Sequence, residues 1–166
     1  MNKPVRSYID EPIVSESVVS EPAALESYVS HQNYNRLYTA IRHVAFSYQQ
    51  LYDYMMSWLQ VPGITLQRSK SVIIGDLMEV SESTVYRWRT NSTQSVNTRH
   101  VERLTELMDI YLYGAEVLGS RQDFIRWLAL PSVLLSGHTP LSRLDGATGL
   151  KLVRHILEKI EYGAPL

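Results

Sequence analysis

Cysteine is absent from all 166 residues. Its absence excludes disulfides, thiolate zinc sites, iron–sulfur clusters and cysteine nucleophiles, and it is compatible with a reducing compartment. Long apolar runs are missing too. The longest stretch without Asp, Glu, Lys or Arg, Trp127–Ser142, carries two prolines, a glycine and a histidine, so it is not a membrane span. Met1–Val14 lacks the apolar segment of a secretion signal. A cytoplasmic protein with no membrane partner is therefore expected. An excess of either charge is also lacking, since sixteen Lys and Arg against seventeen Asp and Glu give a formal net charge of −1. Divided along the chain, that total becomes −3 for residues 1–30, +1 for 31–66, +2 for 67–103 and −1 for 104–166. A modestly basic segment is thus hidden inside a nearly neutral chain.

What is present is mostly helical periodicity. Residues 1–30 hold three prolines, six serines and little periodicity, the composition of an acidic, flexible segment. Leu37, Ile41, Val44, Tyr48, Leu51, Met55 and Trp58 then follow the spacing of an amphipathic helix, expected from about Asn33 to Gln60 and ended by Val61-Pro62-Gly63. Six of the eleven tyrosines lie between Tyr28 and Tyr54. They suit an aromatic core face, a base-stacking surface or a dimer seam. Gln67–Asn91 reads as two short helices joined by a tight turn, with Ser81 as N-cap of the second, Val85 and Trp88 facing inward, and Glu82, Ser83, Thr84, Arg87 and Arg89 nearer the open face. A long helix is expected over Asn97–Leu118 with Gly119 as its cap, a short one over Arg121–Ala129, and a last one over Thr148–Ile160 after an irregular stretch. With no competing alternation of apolar residues, the fold class is all-α.

The search for catalytic chemistry finds no site. None of the five histidines stands at metal-ligand spacing from another, and no H-E-x-x-H pattern occurs. Gly146-Ala-Thr-Gly149 opens a helix, where glycine is explained as a turn residue. Glu158 and Glu161 share a helix face, but a solvated one. The chain is expected to be no enzyme and to need no cofactor.

The paired short helices carry more. A helix fits the DNA major groove, where side chains near its N-terminus reach base edges while flanking cations neutralise phosphates. Arg87–Arg103 holds four arginines and one acid, and twelve of the sixteen basic residues are arginine, the type suited to bidentate contacts. Ser83, Thr84 and Arg87 are the expected base-facing residues, and Arg68, Lys70, Arg89 and Arg99 the phosphate-facing ones. Glu82 either accepts from cytosine or favours the helix N-terminus. A helical hairpin with a solvated arginine face is the competing structural reading.

Toward the C-terminus, Phe124-Ile-Arg-Trp-Leu-Ala-Leu-Pro131, Leu134-Leu-Ser-Gly-His-Thr-Pro-Leu141, Thr148-Gly149, then Val153, Leu157, Ile160 and Tyr162-Gly163 occur in order. This run resembles the C-terminal domain of the Xre/MbcA/ParS antitoxins, and Val80–Trp88 followed by Arg103-Leu104 resembles the Xre-type helix-turn-helix that precedes it. Ser136 stands where that family usually has the first glycine of a Gly-Gly turn. The resemblance covers about residues 66–163, leaving the first third unmatched, and implies a helix-turn-helix DNA-binding domain over 63–118 and a small helical toxin-binding domain over 119–166; composition and periodicity alone assign 1–30 as an acidic N-terminal segment and 31–62 as an amphipathic helix and candidate dimerisation element. It also implies a type II antitoxin that blocks the active site of a RES-domain, NAD-consuming toxin and represses its own operon. Because one helix-turn-helix reads only a half-site, a homodimer on operator DNA is expected. A free-standing Xre-type regulator with a different effector or protein partner is the alternative.

Within the toxin-binding domain, Trp127, Leu128, Pro131, Leu134, Pro140 and Leu141 are the residue types that fix a compact cap. The expected toxin contacts are Lys151, Arg154, Glu158, Lys159, Glu161, Tyr162 and Gly163, with the tail to Leu166, because an extended tail bearing an aromatic can enter a cleft.

Overall fold

A computed structural model describes residues 47–91 and 93–163. The acidic segment 1–30, the first part of the expected tyrosine-rich helix and the tail after Gly163 lie outside the described residues. Among the described residues the chain is all-α, the one extended pairing being an isolated bridge between Ser47 and Ser95. In chain order the helices are α1 (Tyr48–Trp58), α2 (Lys70–Met78), α3 (Glu82–Asn91), α4 (Thr98–Leu118), α5 (Arg121–Ala129) and α6 (Ala147–Glu161). Two short 3-10 turns, Val133–Leu135 and Pro140–Arg143, lie between α5 and α6.

Side-chain caps place most of the boundaries. Ser69, Ser81, Asn97 and Ser120 each accept a bond from the amide three residues on, satisfying donors that a helix start leaves free. The helix expected from about Asn33 does not run through Ser47. Ser47 is extended (φ −84°, ψ 161°), accepts from the Gln50 amide, and has its own amide bonded to the Gln50 side chain, so a capping box starts α1 at Tyr48. Gly119 closes α4 at φ 90°, a left-handed conformation suited to glycine.

One buried cluster extends from Tyr48 in α1 to Leu157 in α6. Its axis is α4, which packs against α2, α5 and α6. A run of rings ties the first half of the core to the second: Tyr54 meets Trp58 edge-on, Trp58 stacks on Tyr111 at 4.5 Å, Tyr111 meets Phe124 edge-on, and Phe124 stacks beside Trp127. Tyr48, Leu51, Tyr52, Tyr54, Met55 and Trp58 are all buried by this chain itself. The described half of the tyrosine-rich stripe is therefore core, not a seam left open for a second copy.

Among the glycines of the fold, the closest approaches fall on two. A Cβ on Gly114 would lie 2.2 Å from the Phe124 ring, so α4 and α5 could not meet as they do. A Cβ on Gly149 would lie 1.5 Å from the Arg143 carbonyl oxygen, so the first turn of α6 seats directly on the preceding 3-10 turn.

Buried Arg103 joins α2 to the segment that precedes α6. Its Nε donates to the Leu77 carbonyl at 2.7 Å, its Nη2 donates to the Leu144 carbonyl, and its Nη1 donates to Glu106 at 3.2 Å. Leu77 belongs to the last turn of α2, whose carbonyls have no amide donor within the helix, so the guanidinium serves as its cap. The Glu79 carboxylate lies 3.9 Å away on the same side.

Candidate functional site

In the two-helix unit, Glu79 ends α2 in a left-handed conformation (φ 57°), which turns the chain sharply into Ser81 and α3. The Ser81 hydroxyl caps the Thr84 amide and also meets the hydroxyls of Ser83 and Thr84 at 2.9 Å. Thr84 in turn accepts from Arg87 at 3.0 Å. The hydroxyl network thus holds the Arg87 guanidinium along the start of α3. Val85 and Trp88 face the core, as expected, and Trp88 stacks on Tyr48 at 4.9 Å. Glu82, Ser83, Arg87 and Arg89 are exposed, whereas Thr84 is partly covered and acts on Arg87.

The four residues expected to face phosphates are not equivalent. Arg89 is exposed, and Lys70 is partly covered at the start of α2. Arg68 is paired with Asp76, and Arg99 with Glu79 at 3.2 Å. Exposed ion pairs are weak and exchange readily, so both arginines can turn to another anion. Arg103, counted in the basic run, is buried and contributes no open cationic surface. Sequence reasoning passed over Tyr86, which is 61% exposed one position from Arg87.

Behind this unit, His100 sits edge-on to Tyr48 and Trp88, with its Nδ1 2.8 Å from the Tyr48 hydroxyl. Burial first, and the Arg99 charge second, hold its pKa below the ordinary histidine value. Both effects favour the neutral imidazole in this setting.

At the other end, α6 buries Leu150, Val153, Ile156 and Leu157 and turns Lys151, Leu152 and His155 outward. The expected contact residues divide into two groups. Arg154 pairs with Asp109 of α4 and lies over the Tyr113 ring at 5.3 Å. Glu161 accepts from the Tyr113 hydroxyl at 2.7 Å. Burial, reinforced by that bond and by the Glu161 charge, pushes the Tyr113 hydroxyl above the ordinary phenol range. These two residues clamp α6 to α4. Lys151, Tyr162 and Gly163 are exposed, Tyr162 by 80%, while Glu158 and Lys159 are partly covered. Gly163 has φ 61°, turning the chain just after the exposed tyrosine.

Residues 114–163 match the family model of the antitoxin Xre/MbcA/ParS C-terminal toxin-binding domain. The match begins inside α4 at the glycine on which Phe124 packs and ends at the turn after Tyr162. It supports an antitoxin role with a toxin as partner, and the family is not one of enzymes. Comparison with curated proteins gave no match. Among the described residues no group of side chains could hold a metal ion, and no helix is long and apolar enough to cross a membrane.

The matched segment also corrects the expected cap. Leu128 and Pro140 are buried and Trp127 and Leu141 are partly buried, but Pro131 is exposed and Leu134 is 40% exposed. The buried residue of that pair of leucines is Leu135. Ser132 is extended and starts a 3-10 turn, and that turn directs Leu135 inward and its two predecessors outward. At the turn's end Ser136 adopts φ 53° and Gly137 φ 82°, so the serine takes the left-handed conformation that a glycine would accept freely.

Proposed function

We propose that this chain is the antitoxin of a type II toxin–antitoxin system. In this reading it binds a RES-domain toxin that consumes NAD, covers that toxin's active site, and represses its own operon from the cytoplasm. The observation that carries the reading is the match of residues 114–163 to a toxin-binding antitoxin domain. The C-terminal segment supports it physically, because Tyr162 stands exposed at the turn that follows α6 and Lys151 is exposed near the start of that helix. Lys151, Glu158, Lys159, Tyr162 and Gly163 contact the toxin, and Arg154 and Glu161 act by fixing α6 on α4.

For the second partner, α2 and α3 form the helix-turn-helix, and two copies of the chain read the two halves of a pseudo-palindromic operator. Ser83 and Arg87 face bases, with Thr84 orienting Arg87. Lys70 and Arg89 face phosphates, and Arg68 and Arg99 join them by leaving Asp76 and Glu79. Arg87→Ala is expected to relax sequence preference at a cost of about 1–3 kcal/mol, whereas Arg99→Ala weakens every duplex alike and shallows the salt dependence. Equal losses for Arg87→Ala on operator and random duplexes, measured by fluorescence anisotropy, refute the assignment.

The test of the toxin reading is co-expression with a RES-domain toxin, sought as the product of the neighbouring gene. Growth and cellular NAD should be restored, and the two proteins should co-purify. Replacing Tyr162 by Ala and deleting residues 163–166 should release the toxin. Full neutralisation by that variant removes the tail from the mechanism, and failure of the wild-type chain to neutralise removes the reading itself.

A further inference from the structure

Trp127–Ser142 carries no Asp, Glu, Lys or Arg. Its exposed part is more apolar than a water-facing loop requires. Val133 is 96% exposed and Leu130 56%, with Leu134 and Pro131 also exposed beside them. Isolated surface leucines are ordinary, but three of the six exposed large hydrophobic residues here fall within five consecutive positions.

The segment is also held in shape. The Ser132 amide donates to the His138 carbonyl at 3.0 Å, and the Gly137 amide donates to the Ser132 carbonyl at 3.0 Å. Within that loop the Leu135 amide donates to the Ser132 carbonyl, the Ser136 amide to Val133, and the Leu135 side chain is buried as the anchor. Val133 is therefore presented on a closed backbone, and as a β-branched residue it has little rotamer freedom left to lose. Preorganised apolar side chains exposed on an uncharged segment are the features of an interface core.

We infer that Leu130, Pro131, Val133 and Leu134 form an apolar knuckle that docks into an apolar recess on the toxin. The inference rests on the toxin-binding reading above. The knuckle lies wholly inside the matched segment, which also supplies Lys151 and Tyr162 as further contacts. A second copy is the weaker occupant, because four side chains facing their own symmetry mates fall short of the ~800 Å² per partner that a stable interface buries, whereas on a toxin they add to the contacts of Lys151 and Tyr162.

The experiment measures affinity of the full chain for the RES-domain toxin proposed as its partner, using the wild type, Val133→Asp and Val133→Ile. Melting temperature and oligomeric state of each chain alone are recorded in parallel. Val133→Asp should weaken the complex by about tenfold or more, the loss of one central contact residue, while Val133→Ile binds like the wild type. Melting temperature and oligomeric state should not change. A Val133→Asp chain that binds within about twofold of the wild type overturns the knuckle and leaves the toxin reading standing. A wild-type chain that does not bind overturns the toxin reading and the knuckle with it. A lower melting temperature for Val133→Asp would show that the chain's own residues cover Val133, and a changed oligomeric state would show that a second copy does; either overturns the inference.

Discussion

Replacing Arg103 with methionine keeps an unbranched apolar stem in the core and removes the guanidinium. Its side chain is only 6% exposed, so water cannot easily take over its bonds. Two carbonyl acceptors, Leu77 at the end of α2 and Leu144 before α6, lose charge-assisted donors. At roughly 1–2 kcal/mol for each buried acceptor left unpaired, the loss is about 2–4 kcal/mol. Glu79 and Glu106 add little, because their side chains are 36% and 44% exposed and water restores their solvation. Relief of the desolvation cost of burying a cation works the other way, so a net loss of about 2–3 kcal/mol is expected. In a domain of this size that lowers the melting temperature by about 10 °C, measurable by circular dichroism. Arg103→Lys should recover less than half of the loss, since one ammonium cannot span both carbonyls. Melting of Arg103→Met within about 2 °C of the wild type refutes the claim that this side chain joins the two-helix unit to the C-terminal segment.

Other perturbations follow from single geometric facts. Gly149→Ala places a Cβ against the Arg143 carbonyl, a backbone atom that cannot rotate away, and should cost about 3 kcal/mol or more in chemical denaturation. Ser136→Gly relieves a left-handed serine and, after the added chain entropy of glycine, should stabilise by about 0.5 kcal/mol; a destabilised variant would contradict the strain. His100 has a lowered pKa in the fold, so the unfolded chain binds more protons as pH falls through the ordinary histidine value of 6.5. Stability contributed by neutral His100 is therefore complete above that pH and declines below it, and His100→Gln should flatten the fall in melting temperature between about pH 7.5 and 5.5. An unchanged slope in that variant would mean that His100 is not the group responsible.

Much of the fold was legible because its boundaries are written in local chemistry. Ser81, Asn97 and Gly119 are caps whose bonds involve residues three or four positions away, and Arg121–Ala129 lies between such signals. Ser47 was missed because the apolar spacing continues across it, and periodicity does not register a capping box that interrupts the backbone. Which way Pro131, Val133 and Leu134 face was not legible either. Hydrophobicity states what a side chain prefers, while a 3-10 turn anchored by Leu135 decides which of three consecutive apolar residues is covered. The same limit applies to charge. Arg87 and Arg103 look alike in a basic run, yet one lies on an open helix and the other is enclosed by carbonyls from two distant segments. Arg154 and Glu161 show it again, since their partners Asp109 and Tyr113 are more than forty positions away.

The most direct test of the antitoxin reading is the NAD consumption of a RES-domain toxin, the partner proposed above, as this chain is added. Turnover should fall to background as the chain reaches equivalence with the toxin, and Val133→Asp should require a clear excess. Undiminished turnover at a saturating excess of the wild-type chain contradicts the proposed function.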